Sequence, residues 1–348
     1  MDHGIYMNRC FQLASSGAGY VAPNPMVGAV LVHNGHIVSE GFHRKFGDPH
    51  AEVMALKHVT NPDVLSKATL YVNLEPCSHT GKTPPCTNLI IEKGIKEVVI
   101  SNPDPFPKVN GSGILQLQQA GIRVSNGILE KEGALLNRRF FTFHNKKRPY
   151  ILLKWAQTKN GFMAPLNQPA KSEITWISNE HSRMLVHKWR SEEQAILIGK
   201  RTALADNPAL NVRGITGNNP VRIVIDPELS LPRNLQIFDN DVTTYIFNFI
   251  KEFREENNLF IKLPNTNEML PELLKILYEE NIQSVLIEGG AVTLSHFINR
   301  GLWDEARIFT GKTIFTQGIP APVITGSLSA QKDVAGDQLE IYFNHSVI

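Results

Sequence analysis

The sequence predicts two α/β domains in tandem. Length is the first observation: 348 residues suit two units at roughly 100–200 residues per domain. Second, strand-like and helix-like runs alternate through both halves, the pattern of layered α/β structure. Third, Arg138-Arg139 and Lys146-Lys147-Arg148 flank an aromatic stretch at mid-chain, and Pro149 stops any helix there. A boundary in that stretch gives units of 1–146 and 147–348. The composition, 42% hydrophobic and 20% charged, supports buried cores. Lys+Arg of 35 against Asp+Glu of 33 leaves a net charge of +2, which excludes a general drive toward nucleic acid or an anionic membrane. Three cysteines exclude a disulfide scaffold. No apolar run approaches the roughly 20 residues of a membrane span, and Met1-Asp2-His3-Gly4 lacks the basic-then-apolar pattern of a signal peptide. The expectation is a soluble, reduced, cytoplasmic protein with neither a nucleic-acid nor a membrane partner.

In the first half, Met7, Cys10, Phe11 and Ala14 recur at helical spacing and the stretch stops at Gly17. Cys10 falls on the apolar stripe, so core packing explains it. A strand over 27–32, the Asn34-Gly35 turn and a strand over 36–40 read as a hairpin. Asp48-Pro49 reads as an N-cap followed by proline at the first helical position, opening a helix through Glu52, Met54, Ala55 and Leu56. A strand over 69–74, a helix over 86–93 behind Pro84-Pro85 and closed by Gly94, a strand over 98–101 and a helix over 114–120 complete the unit. In the second half strands fit 150–155, 195–199, 221–225 and 285–287, and helices fit 179–189, 271–279 and 291–299. Residues 252–270 are polar and read as an irregular surface excursion.

The sharpest chemical signal is His50-Ala51-Glu52, then Pro76-Cys77, then Cys86. His and Cys hold zinc through nitrogen and sulfur, and three protein ligands leave a fourth position for water, as in catalytic sites. Zinc lowers the pKa of such a water toward 7. Attack on an amidine-type ring carbon also needs a proton carrier, and Glu52, beside His50, suits that task. Both cysteines stand just before or at a predicted helix start, where the helix dipole favours thiolate. A structural zinc would want a fourth protein ligand, for which His79 is the nearest candidate. Singly, His50 reads as a helix-cap or surface histidine and each cysteine as a small core residue; their joint spacing favours the metal.

The pattern resembles the zinc deaminases of nucleobases, with one departure: eight residues, not two, separate the cysteines. The string Pro-Cys-Ser-His-Thr-Gly-Lys-Thr-Pro-Pro-Cys over 76–86 is more specific. With Pro23-Asn24-Pro25-Met26-Val27-Gly28 and Gly41-Phe42-His43, it resembles the deaminase domain of the bifunctional deaminase/reductase family of riboflavin biosynthesis, over most of the chain. The resemblance implies a cytidine-deaminase-like three-layer domain followed by a dihydrofolate-reductase-like α/β domain, with one Zn2+ per chain and NADPH as cofactors. It implies a small phosphoribosyl-pyrimidine substrate and a homo-oligomer, dimer or tetramer. Asn24 can read a pyrimidine edge or serve as a turn residue between prolines. Lys82 and Thr83 can hold a sugar phosphate, or sit on a solvated loop, and His43 is equally open; the resemblance tips all four toward substrate.

In the second half no Gly-x-Gly-x-x-Gly follows a strand. Val285-Leu286-Ile287-Glu288-Gly289-Gly290-Ala291 runs from strand through glycines into helix, a place where backbone amides can meet phosphate or simply turn the chain. The resemblance implies that Glu288 lies near substrate, and Gly289, Gly290, Ala291, Val292, Thr293 and Leu294 near the cofactor. Leu153-Lys154-Trp155-Ala156 leading to Asn160-Gly161 is similar to the family's first reductase strand and turn, with departures at Gln157, Thr158 and Asn160; the Asn-Gly turn explains Asn160 by conformation alone. The segment 202–213 matches the family's Thr-x-x-x-Asp-[Asp/Asn]-Pro-x-Leu-x-x-Arg. By that likeness Gln157, Trp176, Thr202 and Asp206 contact NADPH, and Arg190, Leu210 and Arg213 hold substrate. Read without it, Arg190 is a helix-end charge and 206–208 a turn. The expected function is hydrolytic deamination followed by NADPH-dependent reduction in riboflavin biosynthesis. The rivals are a deaminase of another nucleoside or nucleic acid with an idle second domain, and a zinc-stabilised binding module.

Overall fold

Val30, Val32, Tyr71 and Val99 belong to one apolar cluster, and their strand neighbours Leu31, Leu70, Val72, Val98 and Ile100 to another. That period of two sends alternate side chains to opposite faces, so both faces of the first sheet must be covered. The computed structural model describes residues 2–79, 84–107, 109–166 and 175–344 and divides into two units, Met1–Lys147 and Arg148–Ile348.

The first unit holds β1 (Gly28–His33), β2 (His36–Phe42), β3 (Thr69–Leu74), β4 (Glu97–Asn102) and β5 (Arg123–Ser125), ordered β2-β1-β3-β4-β5. Strands β2 and β3 flank β1 antiparallel, and β3, β4 and β5 run parallel. Helix α1 (His3–Ser15) covers one face through Met7, Cys10 and Leu13. Helices α2 (Ala51–Leu56), α3 (Pro62–Lys67), α4 (Cys86–Glu92) and α5 (Ser112–Gln119) cover the other through Ala55, Leu65, Ile90 and Leu117. The result is three layers. Helices α6 (Glu130–Leu136) and α7 (Arg138–Lys146) close the unit.

Helix α1 lies directly on β1 at Gly28, where a Cβ would run into the Cys10 carbonyl oxygen and come within 2.9 Å of the Ala14 nitrogen. Gly28→Ala is therefore expected to cost about 1–3 kcal/mol of stability by overpacking. Chemical unfolding of the full chain checks this; an unchanged midpoint contradicts it.

The basic-aromatic stretch forms helix α7, with Phe140, Thr142 and Phe143 buried. Two expectations need correcting. The helix after Asp48-Pro49 begins only at Ala51, with His50 in extended conformation at the N-cap. The Pro49 carbonyl, which a helix starting earlier would use internally, is bonded instead to the His43 ring. Residues 253–262 are not irregular: β11 (Phe253–Glu255) and β12 (Asn258–Lys262) join the second sheet, with Asn258 and Phe260 buried.

In the second unit β6 (Tyr150–Gln157), β8 (Ala195–Gly199), β9 (Val221–Ile225), β10 (Thr244–Asn248), β12, β13 (Ser284–Ile287) and β14 (Glu305–Thr310) run parallel in the order β12-β10-β9-β8-β13-β6-β14. Strand β11 adds antiparallel at one edge, and β17 (Asp337–Phe343) then β16 (Ser327–Val334) at the other. Strands β7 (Phe162–Pro165) and β15 (Gly318–Pro320) form a separate pair. Helices α10 (Met269–Glu279) and α11 (Ala291–Asn299) pack on one face through Leu273, Leu277, Leu294 and Phe297. Helices α8 (Glu180–Glu192) and α9 (Lys200–Asp206) pack on the other through Val186, Trp189 and Ala203. The chain passes from β6 to β8, winds outward to β12, then returns to lay β13 between β8 and β6. The strand order thus switches at β13, and such switch points open a crevice beyond the carboxyl ends of the strands. No helix among the described residues is long and apolar enough to cross a membrane.

Candidate metal centre and active sites

His50 caps α2 and Cys86 opens α4; Cys77 lies in the loop after β3. Cys86 Sγ is 3.3 Å and Cys77 Sγ 3.6 Å from His50 Nδ1, and the Cys86 amide donates to Cys77 Sγ at 3.3 Å. Bonds of ~2.3 Å to sulfur and ~2.0–2.1 Å to nitrogen in a tetrahedron separate S from N by about 3.5 Å, so this donor set fits zinc. It is the metal-competent group of three or more among the described residues, and His79 is not part of it. Hydrogen bonding from Cys86, then from His50, lowers the Cys77 thiol to about 4 despite burial, while the Cys86 thiol is pushed up by Cys77 and by burial. Cys77 is therefore the favoured thiolate of the two. Glu52, in the first turn of α2 on its buried side, is enclosed; burial and then the Cys77 charge push its carboxyl up to about 7.

Buried amides build the loops around this cluster. Asn73 and Asn137 both donate to the Met26 carbonyl, at 3.0 and 2.9 Å, and accept from the Gly28 and Met26 amides respectively. They hold the segment that carries Asn24. Glu75, two residues before Cys77, accepts from the amides of Asp104, Gly111, Gly113 and Ile114. His43 and Asn24 are bonded to each other at 3.0 Å, and the other His43 nitrogen is taken by Pro49. Lys82 and Thr83 lie outside the described residues.

In the second unit the switch point gathers charge. Arg190 of α8 sends Nε and a terminal nitrogen to the two Glu288 oxygens at 2.8 and 2.9 Å, and its remaining nitrogen to the Asn211 carbonyl at 3.1 Å. Lys154 of β6 reaches Glu288 at 3.6 Å. Burial alone would raise the Glu288 carboxyl, but Arg190 and Lys154 outweigh it and hold it near about 2. Sequence reasoning quoted Lys154 without giving it a role, although a charge inside Ile151-Leu152-Leu153-Lys154-Trp155 was the available signal. His187 was also missed; its Nδ1 accepts from the Arg213 amide at 3.2 Å. Leu210 packs in the core with φ 51.

Helices α9 and α11 begin side by side at the ends of β8 and β13. A Cβ on Gly199 would strike Thr293 Oγ1, and one on Gly290 would lie 3.2 Å from Thr202 Oγ1. The two helix starts thus approach within side-chain contact at the strand ends, and backbone amides at helix starts suit phosphate. Val292 is exposed and Leu294 sits in the core, and burial raises the Asp206 carboxyl. Gln157 bridges Trp155 Nε1 and Thr310 Oγ1 at 3.0 and 3.3 Å. Trp176 is exposed, with the Arg183 guanidinium 4.7 Å from its ring centroid. Asn160 braces the turn by donating to the Phe315 carbonyl at 2.7 Å.

Comparison with known proteins agrees with both halves. The family model for the cytidine and deoxycytidylate deaminase zinc-binding region matches residues 2–102, and that for the RibD C-terminal domain matches 149–337. Riboflavin biosynthesis protein RibD of Aquifex aeolicus is 41% identical over 90% of this chain and 88% of its own length. The chain belongs to the RibD family. RibD of Escherichia coli is 36% identical over 89% of the chain and 87% of its own. A solved Thermotoga maritima diaminohydroxyphosphoribosylaminopyrimidine deaminase/5-amino-6-(5-phosphoribosylamino)uracil reductase superposes with TM-score 0.88 at 35% identity, covering 98% of each chain. Acinetobacter baumannii RibD gives 0.87 at 32%, again covering 98% of each. As a RibD, the chain is a bifunctional enzyme of riboflavin biosynthesis, with a zinc-binding cytidine-deaminase-like unit and an NADPH-dependent reductase unit. The match of both units to RibD does not favour a deaminase of some other nucleoside with an idle partner domain.

Metal removal follows as a test. A bound ion at 100–1,000 times its dissociation constant stabilises a fold by about 3–4 kcal/mol. Chelation is expected to lower the unfolding temperature and zinc to restore it; a temperature indifferent to both contradicts the site.

Proposed function

We propose that the first unit hydrolyses the 2-amino group of 2,5-diamino-6-ribosylamino-4(3H)-pyrimidinone 5′-phosphate, and that the second reduces the ribosyl group of the product to ribityl. The observation that carries this reading is the His50, Cys77, Cys86 cluster beside the buried Glu52, in a chain similar to RibD through both units. Zinc held by those three residues would supply a water activated at neutral pH, and NADPH the hydride. Glu52 takes a proton from the attacking water and delivers one to the leaving amino group, so ammonia departs as the ring carbon becomes a carbonyl. A carboxyl balanced near neutral pH is suited to moving protons in both directions. Asn24 reads the pyrimidine, and Lys82 and Thr83 hold its phosphate.

In the second unit Glu288 faces the substrate, kept ionised by Arg190 and Lys154, while Arg213 and the Leu210 turn hold the phosphate end. The segment 289–294, with Thr202 and Asp206, holds NADPH beside Gln157 and Trp176. Hydride transfer asks mainly for orientation and exclusion of water. The assembly is a cytoplasmic homo-oligomer, dimer or tetramer, with no nucleic-acid partner, in keeping with the near-neutral charge. Ammonia release and NADPH oxidation, followed together with the diaminopyrimidine phosphate supplied, test the reading. Ammonia should appear first and NADPH consumption should depend on it; ammonia from cytidine or tRNA instead would overturn it.

A further inference from the structure

His43 is a buried group of the first unit that neither the metal cluster nor the proton carrier uses. Its ring packs edge-on against His50, 5.5 Å between centroids. Nδ1 meets the Pro49 carbonyl at 3.2 Å and Nε2 meets Asn24 Nδ2 at 3.0 Å. These contacts have one consistent reading. A backbone carbonyl only accepts, so Nδ1 carries the proton and donates. The Asn24 amide nitrogen, 3.0 Å from Nε2, only donates, so Nε2 accepts. One carbonyl therefore dictates, through the ring, which way round the Asn24 amide sits. Asn24 is left with Oδ1 and a single N–H for a ligand. Its backbone is equally fixed, its amide donating to the Val21 carbonyl at 2.9 Å.

We propose that His43 is a positioning residue: it holds the Asn24 amide with Oδ1 offered to the protonated ring nitrogen of an aminopyrimidinone, and does not itself touch substrate. The proposal rests on the deaminase reading of the first unit and adds a source of selectivity. A 2-aminopyrimidin-4-one carries N–H beside the amino group to be removed, whereas cytosine carries a lone pair there. An oxygen held in place attracts the first and repels the second. The reversed amide would do the opposite.

The full-length, zinc-loaded chain tests this with His43→Asn, His43→Gln, Asn24→Ala and the double variant His43→Asn/Asn24→Ala. Asparagine at 43 keeps a donor near the Nδ1 position and loses the Nε2 acceptor; glutamine reaches the Nε2 position. His43→Asn and Asn24→Ala are each expected to raise the deamination KM about 10- to 100-fold and to weaken product binding by calorimetry to match. The change in kcat should stay within about threefold. The double variant should be no worse than Asn24→Ala alone, and His43→Gln should recover most of the loss. Zinc should stay at one per chain, and NADPH oxidation with deaminated substrate should be unchanged. Independent losses that multiply in the double variant overturn the proposal, as does zinc loss in His43→Asn, which marks a role through His50. An unaltered KM in Asn24→Ala overturns it too, while Glu52-dependent deamination stands. Absence of ammonia from the unmodified enzyme sinks the deaminase reading itself.

Discussion

Glu52→Gln is expected to remove ammonia release while zinc stays bound and the reductase keeps full activity. Glutamine keeps the volume and the buried polar contacts of the side chain but neither takes nor gives a proton. A positioned acid–base group is worth roughly 10²–10⁴-fold in rate, so deamination should fall by at least about that factor. Glu52 lies on α2, beyond the three donor atoms, so metal content should remain at one per chain. Feeding the already deaminated pyrimidine should give unmodified NADPH oxidation, which separates a chemical loss from a folding one. Full ammonia release from this variant would remove Glu52 from the chemistry, whereas no ammonia from the unmodified chain would return the site to the zinc-stabilised binding module considered from sequence.

Glu288→Gln is expected to damage the second unit in both stability and activity. Its carboxylate is largely buried between Arg190 and Lys154, and the substitution leaves two enclosed cations without their partner. Breaking such a buried arrangement costs about 3–5 kcal/mol. Chemical unfolding should show a loss in the second unit, and reductase turnover should fall with deamination intact. Arg190→Lys should not substitute for arginine, because the two parallel bonds to Glu288 need the planar fork. The pH dependence has a definite sign. Glu288 sits near about 2, below the ordinary 4.5, so its contribution is present above about pH 4.5 and is lost as pH falls toward 2. In Glu288→Gln that acid-sensitive part should vanish; an unchanged acid limb would show that the ion pairs contribute nothing net.

The metal site was legible because its chemistry demands particular residue types at short spacing around helix starts, and no other use of His50, Glu52, Cys77 and Cys86 explains them jointly. Strands such as Ala195–Gly199 and Ser284–Ile287 were legible from the apolar runs Ala195–Ile198 and Val285–Ile287 of a doubly covered parallel sheet. The Arg190–Glu288 pair spans 98 residues, and only the placement of β13 between β6 and β8 brings Lys154 to it; no local pattern encodes that register. Asp48-Pro49 misled because the His43 ring, six residues earlier, takes the carbonyl that a helix beginning there would use. Residues 253–262 misled because the strands are only three and five residues long and stand in a polar stretch, too short for their pattern to register in the sequence. The β16–β17 hairpin was missed on similar grounds, since β16 is mostly exposed.

Zinc-edge X-ray absorption on the purified full chain tests the central claim most directly. One zinc with two sulfur neighbours at ~2.3 Å and otherwise light neighbours is the predicted result, lost in Cys77→Ser and Cys86→Ser but not in Cys10→Ser. A metal with three sulfurs or none, or one retained in full without Cys77 and Cys86, would contradict it.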